Sequence, residues 1–93
     1  MSRPARSAPR ERSEKWPDVA SLDPAGEVAR QFALNVREAI GDRTLRAAGE
    51  ATGVDHSTIQ AILAGNAWPD LETIAKLEIG LDADLWPGRV RAI

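Results

Sequence analysis

Apolar positions along this chain recur with the period of a helix and nowhere with that of a strand. Val28, Phe32, Val36 and Ile40 repeat at four-residue spacing, with Ala29 and Ala33 beside them. That is one apolar stripe running over about four turns of helix. Asp23-Pro24 precedes it as an N-cap followed by proline in the first helical position, and Gly41 closes it. Shorter helices follow, each with its own punctuation. Thr44 caps Leu45 to Thr52, which Gly53 stops; Asp55 caps His56 to Ala64, which Gly65 stops. Pro69-Asp70 opens a helix over Leu71 to Gly80, with Leu71, Ile74, Leu77 and Leu81 predicted as its buried stripe. Asp84-Leu85-Trp86-Pro87 offers the start of a last short turn or helix. No stretch alternates, so the pattern predicts an all-α protein: a compact four- to five-helix domain over residues 24–93.

Residues 1–23 follow a different rule. They are rich in Arg, Ser and Pro and carry no helical or strand period, which predicts a flexible basic N-terminal arm. Trp16 is the exception, with docking on the body and exposure to solvent both open. Charge separates the two regions further. Residues 1–15 hold Arg3, Arg6, Arg10, Arg12 and Lys15 against Glu11 and Glu14, a net +3, whereas the rest of the chain carries −5. A basic tail on an acidic body is one way to hold a nucleic acid, because the tail supplies phosphate neutralisation that the body lacks.

Composition removes several function classes. There is no cysteine, so neither a disulfide framework nor a thiolate metal site is available, and the lone His56 is too little for a histidine-ligated metal. No metal and no cofactor is implied. No apolar run reaches membrane-spanning length, and the N-terminus lacks the apolar stretch of a secretory signal. Asp55, His56 and Ser57 include the residue types of a hydrolase triad, but consecutive helical positions do not face one another, so an enzyme is not expected.

The informative stretch lies between Thr44 and Pro87. Gly53 permits the positive φ of a tight turn, Val54 fills the corner between two helices, and Asp55 starts the next helix at once. Gly49, one turn before the bend, lets the second helix cross closely. Two helices at a steep angle, joined by a short turn with small residues at the contact, are what a helix-turn-helix requires. In this stretch the chain resembles the lambda-repressor-like helix-turn-helix family, also called the Cro/repressor or XRE type. The resemblance spans Val28 to Pro87, about two thirds of the chain. It is carried by Gly49, Glu50 to Gly53, Val54-Asp55, Ser57-Thr58-Ile59, Gly65, and Pro69-Asp70-Leu71-Glu72-Thr73-Ile74 at ordered spacing.

The resemblance implies five helices, with the second and third forming a unit that reads double-stranded DNA in the major groove. His56, Ser57, Gln60 and Ala61 then become base-contact candidates, while Ile59, Ile62 and Leu63 turn inward and Thr58 packs or supports the helix end. Gln60 can pair with adenine, Ser57 can bond several base edges, and Ala61 offers a methyl contact to thymine. Arg43, Thr44, Arg46 and Asn66 are the phosphate candidates, with Trp68 read as a hydrophobic plug of its loop. The expected protein is a cytoplasmic, bacterial or phage-encoded transcriptional regulator, a repressor in the simplest case, with no small-molecule ligand. Family members commonly carry Lys or Arg in or just after the recognition helix; this chain has Ala61, Ala64 and Asn66, so contacts from the arm residues Arg3, Arg6, Arg10, Arg12 and Lys15 are expected to make up the deficit. A homodimer would use the C-terminal segment from Leu81 to Ile93, through Leu85, Trp86 and Val90, since no separate dimerisation domain is expected. A protein-interaction module on the same fold, an antitoxin or assembly factor, stays open beside the DNA reading, because fold does not fix function.

Overall fold

The computed structural model describes residues 6–91. It contains four α-helices: α1 (Pro24–Ile40), α2 (Leu45–Thr52), α3 (His56–Leu63) and α4 (Leu71–Leu81), preceded by a 3-10 turn at Pro9–Arg12. Each α-helix begins at the side-chain cap expected of it. Asp23, Thr44, Asp55 and Asp70 accept from the backbone N–H of Gly26, Ala47, Ser57 and Thr73 respectively. Every helix start thus recovers an amide that no turn of helix could satisfy.

Phe32, Val36 and Ile40 of α1 form the spine of the core, against Ala48 of α2, Ile59 and Ile62 of α3, and Ile74, Leu77 and Leu81 of α4. Leu71 departs from the predicted stripe and is 82% exposed. It is the first residue of α4, one turn before the helix meets the core at Ile74. The α2–α4 contact is close: a Cβ on Gly80 would lie 2.5 Å from the Thr52 Cα and 2.6 Å from the Ala51 carbonyl oxygen. Helix α4 therefore crosses α2 backbone to backbone.

No fifth helix follows among the described residues. Asp82 takes the left-handed conformation (φ 51°, ψ 53°). Its N–H bonds to the Ile79 carbonyl, and that of Ala83 to the Glu78 carbonyl, the paired bonds of a Schellman ending. Beyond it, the Glu78 carboxylate accepts the N–H groups of both Leu85 and Trp86, and Asn35 Nδ2 donates to the Leu85 carbonyl. Those bonds satisfy the backbone without a helix, and Pro87 disfavours helical geometry at Trp86. Leu85 is consequently spent in its own core at 1% exposure, which removes it from the expected dimer surface. Trp86 remains half exposed, and Ile93 lies outside the described residues. A left-handed residue with a Cβ is strained by about 1 kcal/mol, so Asp82→Gly should raise the urea midpoint by an equivalent of about 0.5–1 kcal/mol. A lower midpoint would mean that the Asp82 side chain contributes more than its backbone costs.

The largest difference from the sequence expectation is at the N-terminus. From Arg6 the chain is a strap laid across the helices, where a flexible arm had been expected. Arg12 pairs with Asp23 at 3.0 Å, Arg30 Nη1 donates to the Pro17 carbonyl, and the Ser21 N–H donates to Glu27. At its other edge the strap bonds to the end of α3: Arg10 N–H to the Gly65 carbonyl, and Trp16 Nε1 to the Leu63 carbonyl at 3.0 Å. Trp16 packs against the core from there. Irregular backbone can be ordered when its polar groups find partners, and here side chains from distant parts of the chain supply them.

Candidate nucleic-acid interface

The site is built around the turn between α2 and α3. Gly53 ends α2 in the left-handed conformation (φ 76°), its N–H bonded to the Gly49 carbonyl. Thr52 clasps the bend from inside: its buried hydroxyl donates to the Ala48 carbonyl at 2.8 Å and accepts the Val54 N–H at 3.1 Å. This hydroxyl was missed in the sequence reading, although a threonine at a helix end commonly bonds back to the preceding turn. Val54 is buried as expected, and a Cβ on Gly49 would come within 3.0 Å of the Val54 carbonyl oxygen. The close crossing therefore needs glycine or a very small side chain at that position.

Helix α3 divides into two faces. Ile59 and Ile62 are buried in the core and Leu63 packs partly against it, whereas Ser57, Gln60 and Ala64 are exposed and Ala61 is half-buried. Ser57, Gln60, Ala61 and Ala64 share one side of the helix at the i, i+3, i+4, i+7 spacing. Thr58, expected to pack or to support the helix end, is exposed beside them and so does not pack. His56 is half exposed at the helix start, its Nδ1 3.9 Å from Asp55. The cap serves two donors from one residue: Asp55 Oδ1 accepts the Ser57 N–H at 2.8 Å and the Ser57 hydroxyl at 2.6 Å. The hydroxyl, followed by the backbone N–H, holds the Asp55 carboxyl below its ordinary range. The Ser57 proton is thereby directed to the exposed Asp55 carboxylate, leaving its oxygen available as an acceptor.

The phosphate candidates flank this face. Arg43 and Thr44 are exposed at the start of α2, and Arg46 lines a surface depression together with Val54, Asp55 and His56. Asn66 is exposed in the loop after α3, its N–H bonded to the Ala61 carbonyl. Trp68, read as a plug, has a second role. Its Nε1 donates to the Ser7 carbonyl, and the guanidinium groups of Arg6 and Arg12 lie 4.9 and 4.7 Å from its ring centroid. Arg3 is outside the described residues, and Lys15 stands 3.9 Å from Asp18 on the surface. Among the described residues no helix is long and apolar enough to cross a membrane.

Two short capped helices crossing at Gly49, with a left-handed glycine and an inward valine between them, define a helix-turn-helix unit. A family profile described as helix-turn-helix matches residues 35–85, from the second half of α1 to the buried Leu85. The chain belongs to the XRE, or lambda-repressor-like, helix-turn-helix family of DNA-binding transcription regulators. No curated protein and no solved structure shows a significant match to it.

Proposed function

We propose that this protein is a sequence-specific regulator that reads duplex DNA in the major groove with α3, and represses by occupying its site. The observation that carries the reading is the division of α3. Its inner face is committed to the core, fully at Ile59 and Ile62 and partly at Leu63, while Ser57, Gln60, Ala61 and Ala64 form a shallow outer face free of bulky groups. An outer face of that kind can approach base edges closely. Gln60 is suited to adenine through paired hydrogen bonds. Ser57, with its proton held by Asp55, is an acceptor and suits the amino group of cytosine or adenine over a guanine or thymine oxygen. His56 stands at the flank of the same helix start, within reach of a base or a phosphate. Arg43, Arg46 and Thr44 at the start of α2, with Asn66 beyond α3, hold the duplex by its phosphates.

The test is selection from a pool of random duplexes at several salt concentrations, followed by sequencing of the retained fraction. Enrichment of one motif is expected, and Ser57→Ala combined with Gln60→Ala should lower affinity for it by about 2 kcal/mol or more while sparing non-specific binding. Absence of any binding at low salt would leave the protein-interaction reading, favoured by the acidic charge of the body, in its place.

A further inference from the structure

Helix α3 contributes no Lys or Arg from His56 to Leu63, its one histidine lies at the opposite, N-terminal end, and the loop after it begins Ala64-Gly65-Asn66. A DNA-reading helix seated by its N-terminal end in a groove about 12 Å wide carries its other end about 10 Å away, toward the sugar–phosphate wall. A cation is wanted at that end, and the helix does not supply one. The strap reaches the same place. The Arg10 N–H bonds to the Gly65 carbonyl at 2.9 Å, and Trp16 covers Gly65 so closely that a Cβ there would meet the indole at 2.6 Å and the Arg10 Cβ at 2.8 Å. Arg10 is exposed and lines one surface depression with Ala64, the last residue of the outer face of α3.

We infer that the N-terminal strap is a fixed second half of the DNA-binding surface, in which Arg10 is the phosphate-contacting group at the C-terminal end of α3. This rests on the reading of α3 as the helix that enters the groove. The strap's other arginines have different employment, and Lys15 stands on the surface beside Asp18. Arg6 and Arg12 stack on Trp68, and Arg12 is also paired with Asp23, so these two hold the strap in place. Among the described residues no ion pair takes up Arg10. Two acidic residues line the same depression as Arg10. Glu11 is turned onto the Ala8 N–H of its own turn at 3.1 Å, and its carboxylate and that of Glu14 both oppose the phosphate backbone there. A mobile tail would trade contacts along the duplex. A docked strap puts one guanidinium at one distance from the base-reading residues, so that it contributes at a single register.

The experiment measures the salt dependence of binding to a labelled random-sequence duplex for the full chain. Arg10→Gln should lower the slope of log K against log salt by about 1, and weaken binding roughly five- to tenfold near 0.1 M salt. Arg10→Lys should keep most of both. Glu14→Gln should bind tighter than the parent. Arg89→Gln removes the same charge from a depression that no residue of α3 lines, and should leave the slope unchanged. An Arg10→Gln slope equal to the parent's, or an equal fall in Arg89→Gln, overturns the inference. If the parent selects a motif that depends on Ser57 and Gln60 while Arg10→Gln has no effect, only the strap's role fails. If the parent binds no duplex, the DNA reading itself fails with it. Because Arg10 is exposed and its docking bond uses the backbone, the variant keeps the fold; an unchanged thermal midpoint confirms that.

Discussion

Gly80→Ala should destabilise the protein by about 2–3 kcal/mol, although by helix propensity alone the change would stabilise it by about 1 kcal/mol. The opposite sign comes from the α2–α4 crossing. The added methyl would fall 2.5 Å from the Thr52 Cα, 2.6 Å from the Ala51 carbonyl oxygen and 2.7 Å from the Thr52 Cγ2. The nearest of these are backbone atoms of a neighbouring helix, which cannot rotate aside as a surface side chain could. The helices must separate, and with them the contact between α4 and the end of α2. Thr52 is also the residue whose hydroxyl clasps the bend into α3, so the damage should extend to the reading helix. Urea unfolding followed by circular dichroism gives the size of the loss. Stability equal to or above the parent's would show that the crossing yields without cost. For a domain of this size the predicted loss is a large share of the total.

Glu27→Ala should cost more, about 3–5 kcal/mol, because it strands the Arg30 guanidinium in a nearly dry site. Glu27 is only 4% exposed. Its two carboxylate oxygens accept from Arg30 Nε and Nη2 at 2.8 and 2.7 Å, from Gln31, and from the Ser21 N–H of the strap. Replacing the pair together, Glu27→Leu with Arg30→Met, removes both charges and should recover a good part of the loss. The pair also has a pH signature. The Arg30 hydrogen bonds, aided by Gln31 and the Ser21 N–H, hold the Glu27 carboxyl down to about 2 from an ordinary 4.5. A carboxyl lowered by folding stabilises the native state fully above its unfolded value, and that contribution is lost as pH falls through the folded one. The protein should therefore lose on the order of 3 kcal/mol between pH 4.5 and pH 2 from this group alone. Asp55 is lowered too, by the Ser57 hydroxyl and then its N–H, as are Asp23 and Asp70, by helix-start N–H groups and then the Arg12 and Thr73 side chains, and Glu78, by the Trp86 and Leu85 N–H groups, so the parent curve is a composite. The difference between the parent and the paired variant isolates Glu27. Parallel curves for the two would exclude the buried pair as the source.

What was legible in the sequence divides along the range of the interactions involved. Caps and turn residues act within a few positions of themselves, so Asp23, Thr44, Asp55 and Asp70 could be read directly, as could Gly53 and the inward Val54. Stripes at helical spacing located the core on α1, α3 and most of α4. Leu71 was misassigned because a stripe says which side of a helix is apolar but not where along its length the neighbours stop. Within the site, the outer face of α3 followed from its wheel. The tie between Ser57 and Asp55 did not, since spacing cannot tell which of two acceptors a hydroxyl chooses. Nor could any window of sequence show the strap: Trp16 bonds to Leu63 across 47 positions, and Trp68 to Ser7 across 61. Its order comes from indole, guanidinium and carboxylate groups meeting from separate elements, an arrangement with no period to detect. The end of α4 near Gly80 was legible to within one residue, since the helix stops at Leu81, but only the position of α2 shows why a side chain is excluded at Gly80.

The placement of the indoles gives this chain a built-in optical reporter. It has three tryptophans and no tyrosine, so its ultraviolet emission is indole emission alone. Two of the three, Trp16 and Trp68, bridge the strap to the end of α3 and the loop beyond it, and Trp86 shares an apolar hollow with Trp68 on the other side. Emission from the untagged protein is therefore weighted toward the one region where strap, reading helix and loop meet. Lifting of the strap, or arrival of a polyanion beside it, registers as a change in colour and quenching without any label.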